Sequence, residues 1–316
     1  MILLPIFALL LSNICIMLIA NPIYDTAFRR LMENRHVARF FIETLIDEQV
    51  DDIALVPQEY TYRTIRKKKK PENPEIDTDK SEIFSVIRYD FVATIRTKRG
   101  EFKKVLIEIQ KSSNPTDLMR FRTYLGEQYK RADVVDAKKG MVEKAIPIIT
   151  IYLLGFTIPG IDAAVIKVAR KYLNLFDQKE IGQKSEWIEA LTHDGYFVQI
   201  PYIKGRPRTL LQKMLSVFEQ EYFIDDKNIV KKYDHDVENE NIREMVRILE
   251  YAAADPKDRR TMEEEYWAIC NEEEYERMRV ELAENQKTIE DNLKALKEKD
   301  ALILAMQREI ERLAGK

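Results

Sequence analysis

Cysteine is nearly absent from this chain: Cys15 and Cys270 are the only two in 316 residues, and they lie far apart with no metal-ligand spacing. That excludes a disulfide framework or a zinc cluster and fits a reducing compartment. Histidine is nearly as scarce, with three. His36, His193 and His235 are scattered without convergent partners, so none is read as a catalytic group or a ligand. Gly155, Gly160 and Gly182 form no phosphate-cradling loop, and no Walker or nucleophile-elbow pattern occurs. A strong charge of one sign is missing too. The net charge of −3 gives no global attraction to nucleic acid, so any basic surface must be local. What is present is 45% hydrophobic and 33% charged residues, enough for a packed core in one large domain or two ordinary ones.

The informative stretch is Val86 to Lys111, which reads as two strands joined by the turn Thr97-Lys98-Arg99-Gly100. Side chains alternate over the first strand, and the second, Phe102 to Gln110, starts charged and becomes apolar at Val105-Leu106-Ile107. Two acids interrupt this background, Asp90 on the first strand and Glu108 near the end of the second. A carboxylate on a buried strand is costly to desolvate unless it is paired or metal-bound. Antiparallel pairing across the turn brings Asp90 and Glu108 together, and two adjacent carboxylates of this kind suit Mg²⁺. The other reading of the two acids is a pair matched to nearby Arg or Lys.

An Asp, a hairpin and then Glu108-Ile109-Gln110 resembles the core of the PD-(D/E)XK nuclease superfamily. The nearer resemblance is to the bacterial PD-(D/E)XK nuclease family transposases, related to the recombination-promoting (Rpn) nucleases, in which the last motif residue is commonly Gln rather than Lys. Asn21-Pro22-Ile23-Tyr24-Asp25-Thr26-Ala27-Phe28 resembles that branch's opening motif. Arg120, Tyr124 and Gln128 resemble its helix after the core, and Pro147 to Ile151 its next strand. The resemblance implies a Mg²⁺-dependent (or Mn²⁺-dependent) DNA endonuclease working in the cytoplasm. Asp90 and Glu108 would be the metal ligands, and Asp25, Asp90, Glu108 and Gln110 the catalytic set. Lys111, Arg120, Tyr124 and Gln128 would support the site or contact DNA. Gln110 cannot serve as a base and could only position water or phosphate. Lys111 is adjacent, but in a regular strand it would face the other way.

Around this core, Ile2 to Ala20 is almost continuously apolar and is set apart from the fold. It reads as a translated upstream extension, a membrane anchor or a secretory leader lacking a basic n-region. Residues 21–235 read as the nuclease-like domain. Asp25 fits either a helix cap or an acid facing the metal site. Glu59 to Ile65 reads as a first strand, and residues 66–81, opening with Arg66-Lys67-Lys68-Lys69-Lys70, as a flexible basic insertion. That insertion is either a solvated loop or a neutraliser of phosphates beside the site. A helix is expected from Pro115 to Ala132, an interior strand from Ile146 to Leu154, a strand at Phe197 to Ile200, and a helix from Arg208 to Glu221. Residues 236–271 read as a helical region, and 272–316 as a coiled-coil helix. There Tyr275, Leu282, Ile289, Leu296, Ile303 and Ile310 recur at seven-residue steps. The companion seam (Met278, Asn285, Asn292, Lys299, Met306, Leu313) is half polar, which predicts weak self-association or a solitary charged helix.

The expected fold is therefore α/β, a restriction-endonuclease-like mixed sheet flanked by helices, followed by a helical region and a C-terminal coiled coil. The rival functional expectation is a catalytically weak or inactive scaffold that binds DNA or another partner and oligomerises through its tail. A third is an adaptor tethered to a membrane by Ile2 to Ala20.

Overall fold

Apolar residues recur along the chain in two periods, and the elements follow them. The computed structural model describes residues 17–56, 59–65, 82–88, 90–111, 115–137, 140–235 and 237–314. Strand β1 (Met17–Ala20) leads into helices α1 (Asp25–Glu33) and α2 (Arg35–Ile46). Strands β2 (Val50–Leu55), β3 (Glu59–Ile65), β4 (Glu82–Arg88), β5 (Phe91–Thr97) and β6 (Phe102–Gln110) follow, then helix α3 (Pro115–Tyr129). Next come β7 (Asp133–Ala137), β8 (Gly140–Lys144), β9 (Ile148–Leu154), β10 (Val165–Val168), helix α4 (Glu186–Leu191) and β11 (His193–Gln199). Helix α5 (Leu210–Leu215), β12 (Val230–Tyr233), α6 (Glu240–Ala254) and α7 (Pro256–Ala314) complete the order.

Six strands form the central mixed sheet in the order β10-β11-β9-β6-β5-β2. Strands β6, β9 and β11 run parallel, whereas β10, β5 and β2 pair antiparallel with their neighbours. The expected α/β mixed sheet is thus present. The two innermost strands explain why: Val105 to Ile109 and Ile148 to Ile151 are buried on both faces, as in an interior strand covered by helices. On one face, α3 lays Tyr124 and Leu125 against Val92, Leu106 and Ile148. On the other, Tyr196 of β11 hydrogen-bonds to the Ile46 carbonyl at the end of α2. Behind that face, α1, α2 and α6 pack together, and Phe28, Phe41 and Phe218 meet with ring centroids 5.9–6.5 Å apart.

The expected hairpin turn is in place: Gly100 N–H donates to the Thr97 carbonyl over 2.8 Å and Gly100 takes φ 82°. The single strand expected from Val86 to Ile95 is not continuous. It ends at Arg88, Asp90 lies in a bend, and a new strand starts at Phe91. The first part, β4, pairs with β3 in a separate two-stranded ribbon, and only the second joins the central sheet. Glu59 to Ile65 is a strand, but β2 precedes it, and the hairpin β7–β8 was not anticipated. The helix after the core stops at Tyr129, and the one expected from Arg208 to Glu221 shortens to α5 plus a 3-10 turn at Ser216–Phe218. The basic stretch 66–81 lies outside the described residues.

The apolar N-terminal run is only partly separable from the fold. Residues 1–16 lie outside the described residues, but Met17–Ala20 pairs antiparallel with β12, and Ile19 and Ala20 are fully buried. The boundary drawn after residue 20 therefore moves back to at least residue 17, because these side chains complete the core beneath α6. Among the described residues no helix is long and apolar enough to cross a membrane. Nor is residue 236 a break. Helix α6 packs on α1, α2 and β1, and the first turn of α7 is fixed by a two-pronged pair between Arg30 and Asp258 at 2.9 and 3.0 Å. The chain instead divides after Met262 into two compact units. The second consists of the remainder of the 59-residue helix α7, on which Tyr275, Leu282, Ile289, Leu296, Ile303 and Ile310 are all exposed.

One buried cation makes folding pH-dependent. Lys231 on β12 pairs in register with Ile19, is almost wholly buried, and donates from Nζ to the Glu219 carbonyl. Burial pushes its ammonium down to about 7 from the usual 10.5, against the opposing pull of Glu219. Between those two values the unfolded chain holds a proton that the folded chain has released, so this group makes stability rise with pH across that window and leaves it flat below. In urea unfolding over this range, wild-type stability should climb relative to a Lys231→Met variant as pH increases. A difference that does not change with pH would show that Lys231 stays charged in the fold.

Candidate active site

The acid pair forms where the β5–β6 ladder ends. Phe91 faces Ile107 in register, so the next positions outward are Asp90 and Glu108. Asp90 leaves the strand conformation and accepts the Ile109 N–H at Oδ2 over 2.6 Å. A side-chain oxygen thus takes the place of a ladder carbonyl, which is why the strand breaks here. Glu108 is 3% exposed. Its neighbour in register on β9 is Tyr152, whose ring contacts Phe121 (4.4 Å between centroids) and stacks on Phe197 (4.6 Å). That aromatic wall keeps water away from the Glu108 carboxyl.

Burial, followed by the nearby Asp25 carboxylate, raises Asp90 to about 7. Its hydrogen bond from Ile109 and the charges of Lys111 and Arg120 pull the other way. Glu108 is raised well above the carboxylate range by burial and then by Asp90, with Arg120 opposing. Arg120 reaches Glu108 Oε1 at only 3.8 Å, an ionic contact rather than a hydrogen bond. Glu108 Oε2 is buried and has no hydrogen-bond partner among the described residues. An orphaned buried carboxylate oxygen costs several kcal/mol unless something fills the role, by the usual order of magnitude.

Asp25 and Lys111 stand beside the pair. Asp25 opens α1 and accepts from Lys111 Nζ at 2.9 Å. Lys111 therefore does not face away, as strict strand alternation predicts, because β6 ends at Gln110 and alternation ends with it. The backbone at Lys111 is held by Gly155. Its N–H donates to the Gln110 carbonyl over 2.8 Å, and a Cβ at 155 would lie 3.0 Å from the Lys111 carbonyl oxygen. A side chain here would crowd the Lys111 backbone and push the two strand ends apart by a few tenths of an ångström. Gln110 is half-buried at the tip of β6.

The other expected supporting residues divide. Helix α3 runs opposite to β6. Eight helical residues rise about 12 Å and four strand residues about 13 Å, so positions on the two elements stay matched. Arg120 stands over Glu108, Tyr124 over Leu106, and Gln128 over Lys104. Arg120 therefore belongs to the site, and Tyr124 packs the core. Gln128 is a correction: it is 2% exposed and accepts from Lys104 Nζ at 3.0 Å, so it is not a surface contact for DNA. Lys104 also pairs with Asp133 at 2.5 Å, a buried cation that no local pattern around it singles out. The histidines sit elsewhere. His235 bonds to Glu219 at 2.8 Å and His193 to the Tyr129 hydroxyl at 2.9 Å.

The structure thus gathers Asp25, Asp90, Glu108, Lys111 and Arg120. Among the described residues no cluster of three or more His, Cys, Asp and Glu side chains is arranged as a ready metal cage. The unpartnered Glu108 oxygen and the two acids that burial and mutual repulsion keep from ionising still fit a hard cation, which would release their protons and be held by both carboxylates with backbone or solvent oxygens. Compared with protein families, curated proteins and solved structures, the chain matches none.

Neutralising the orphan tests that fit without any assay of activity. Glu108→Gln should raise unfolding stability in EDTA by about 0.5–2 kcal/mol, the range for relieving a strained functional site. Mg²⁺ or Mn²⁺ should raise the melting temperature of the wild type but not of this variant. Identical melts for both proteins with and without metal would mean that the acids are simply matched to Arg120 and Lys111.

Proposed function

We propose that this chain is a metal-dependent DNA endonuclease of the PD-(D/E)XK transposase type, related to the recombination-promoting nucleases. The observation that carries the reading is the Asp90–Glu108 pair at the end of an antiparallel hairpin, with Glu108 buried and one of its oxygens unpartnered. Two carboxylates are brought together against their own repulsion, which a merely structural sheet has no reason to do. Asp90, Glu108 and the Ile109 carbonyl would hold Mg²⁺ or Mn²⁺. When bound, the cation would polarise a phosphate oxygen and lower the pKa of an attacking water.

The rest of the work falls to the chain's own groups. Asp25 fixes the Lys111 ammonium beside the acids, where it can neutralise a phosphate oxygen as charge builds on it. Arg120 lies over Glu108 and, being partly exposed, can reach a phosphate from the α3 side. Gln110 carries no charge and offers an amide to position water or phosphate. The Tyr152 and Phe121 wall keeps the local dielectric low, which strengthens each of these interactions. Supercoiled plasmid incubated with the protein and Mg²⁺ should be nicked. The Asp90→Ala and Glu108→Ala variants should lose about 10²-fold or more, and Lys111→Ala about 10-fold or more, in line with removing one transition-state contact. Equal activity in wild type and all three variants would assign the cleavage to a contaminant.

The scaffold reading is favoured by one observation. Lys111 and Arg120 already supply positive charge at the acids, so a stable site without turnover is physically reasonable. It shares with the nuclease reading a means of self-association, the exposed apolar seam of α7. Asn285 and Asn292 on the companion seam lower the strength of such pairing while restricting its register. Sedimentation should show a concentration-dependent monomer–dimer equilibrium that Ile289→Lys with Leu296→Lys abolishes. A wild type that is monomeric at every concentration would make α7 a solitary helix.

A further inference from the structure

The three parallel strands at the centre of the sheet all end at one edge. Gln110 of β6 is in register with Leu154 of β9, and Leu154 with Gln199 of β11. Two strand spacings, about 10 Å, therefore separate the tip of β11 from the tip of β6 that carries Glu108 and Lys111. What leaves the tip of β11 is Ile200-Pro201-Tyr202-Ile203-Lys204-Gly205-Arg206-Pro207-Arg208. Lys204, Arg206 and Arg208 are exposed, at every second position. Arg206 and Arg208 have no carboxylate partner among the described residues, and Lys204 has only a 3.8 Å contact with Glu221. The other nearby acids are engaged elsewhere: Asp162 accepts from the Tyr202 hydroxyl at 3.0 Å, and Glu219 bonds to His235 at 2.8 Å.

The loop's exit is also fixed. Gln199 is fully buried, and its amide donates to the Ile161 and Ala163 carbonyls at 2.9 and 2.7 Å while accepting from Ile158 N–H. Behind the loop, Thr209 and Gln212 form a reciprocal cap on α5. Unpaired guanidinium groups on a loop anchored at both ends pay little to be ordered by a ligand, and their fork geometry matches phosphate.

We infer that the loop Lys204–Arg208 carries the phosphate backbone of duplex DNA laid along this strand-end edge, with the scissile phosphate at the acid site. This rests on the nuclease reading for the identity of the ligand, but it assigns binding to residues outside the catalytic cluster. The chain's net charge is negative, so this local basic segment would supply part of the attraction that composition does not.

The test is duplex binding by fluorescence anisotropy in EDTA, followed through a salt titration. Arg206→Ala with Arg208→Ala is compared with Lys98→Ala with Arg99→Ala, which removes equal charge from the exposed turn at the opposite end of β6. The loop variant should bind about 10-fold or more weakly and flatten the log–log salt slope by roughly 2, one phosphate per arginine. The turn variant should leave both quantities near wild type. Equal losses in the two variants, or none in either, overturn the assignment of this loop. Asp90→Ala separates the two ideas: if it abolishes plasmid nicking yet binds duplex with the wild-type slope, cleavage and backbone contact are distinct functions. Binding by the loop in a wild type that never nicks would retain this inference and sink the catalytic one. A wild type with no affinity for duplex ends both.

Discussion

The Ile109 N–H bond to Asp90 Oδ2 is the constraint on which the site depends. A β ladder normally satisfies each backbone donor with a backbone acceptor, and it can end only where something else takes over. Here a carboxylate takes over, and in doing so it is drawn into the sheet beside Glu108. The same bond releases β4 from the sheet, because the chain must turn at Asp90 to present its side chain inward. One hydrogen bond thus sets three features: the length of β5, the separate β3–β4 ribbon, and the adjacency of two acids that repel each other. The repulsion shows in the raised pKa of both acids, and their backbone hydrogen bonds and Arg120 partly offset it, while β5 and β9 hold β6 in place on either side.

Helix α3 shows how a spacing that looks functional can be set by packing. Arg120, Tyr124 and Gln128 recur at i, i+4 and i+8, and the natural reading is one functional face. The facing strand supplies Glu108, Leu106 and Lys104 at matching heights. The helix residues are accordingly cationic, aromatic and amide, each suited to what lies beneath it. Only the first stands over the acid pair. Gln128 answers instead a buried lysine whose charge also needs Asp133.

Much of the core was legible because its signals are local. The Gly100 turn and the apolar run Val105 to Ile109 sit in consecutive residues, and the β5–β6 register follows from the turn, so the nearness of Asp90 and Glu108 could be read directly. The break at Asp90 could not, since it depends on the Ile109 N–H nineteen residues away. The direction of Lys111 is hidden for a related reason: alternation holds only while a strand lasts, and the end of β6 is fixed by Gly155, just past the end of β9. Met17–Ala20 is hidden as a strand because an apolar run at a chain start looks like a leader. Its role as a strand depends on β12, more than two hundred residues later. The sheet class was readable from composition and period, whereas the pairing partners of short strands such as β2 and β10 were not.

Gly155 shows how the edge itself is built. Parallel strands cannot be joined by short hairpins, so β6, β9 and β11 each leave the sheet at the same end, and the chain travels before it re-enters after β6 and β9. Their exits crowd together, and a crowded exit needs either small residues or a polar clasp. At β9 the solution is Gly155, whose missing side chain admits the Lys111 carbonyl. At β11 it is Gln199, whose buried amide ties the chain between β9 and β10. Both devices hold backbone, so the charges of Lys111 and of the Lys204–Arg208 loop are not what shapes the edge. An edge organised this way separates rigidity from chemistry: the sheet fixes where the acids stand, and the loops beyond it can vary in charge without disturbing them.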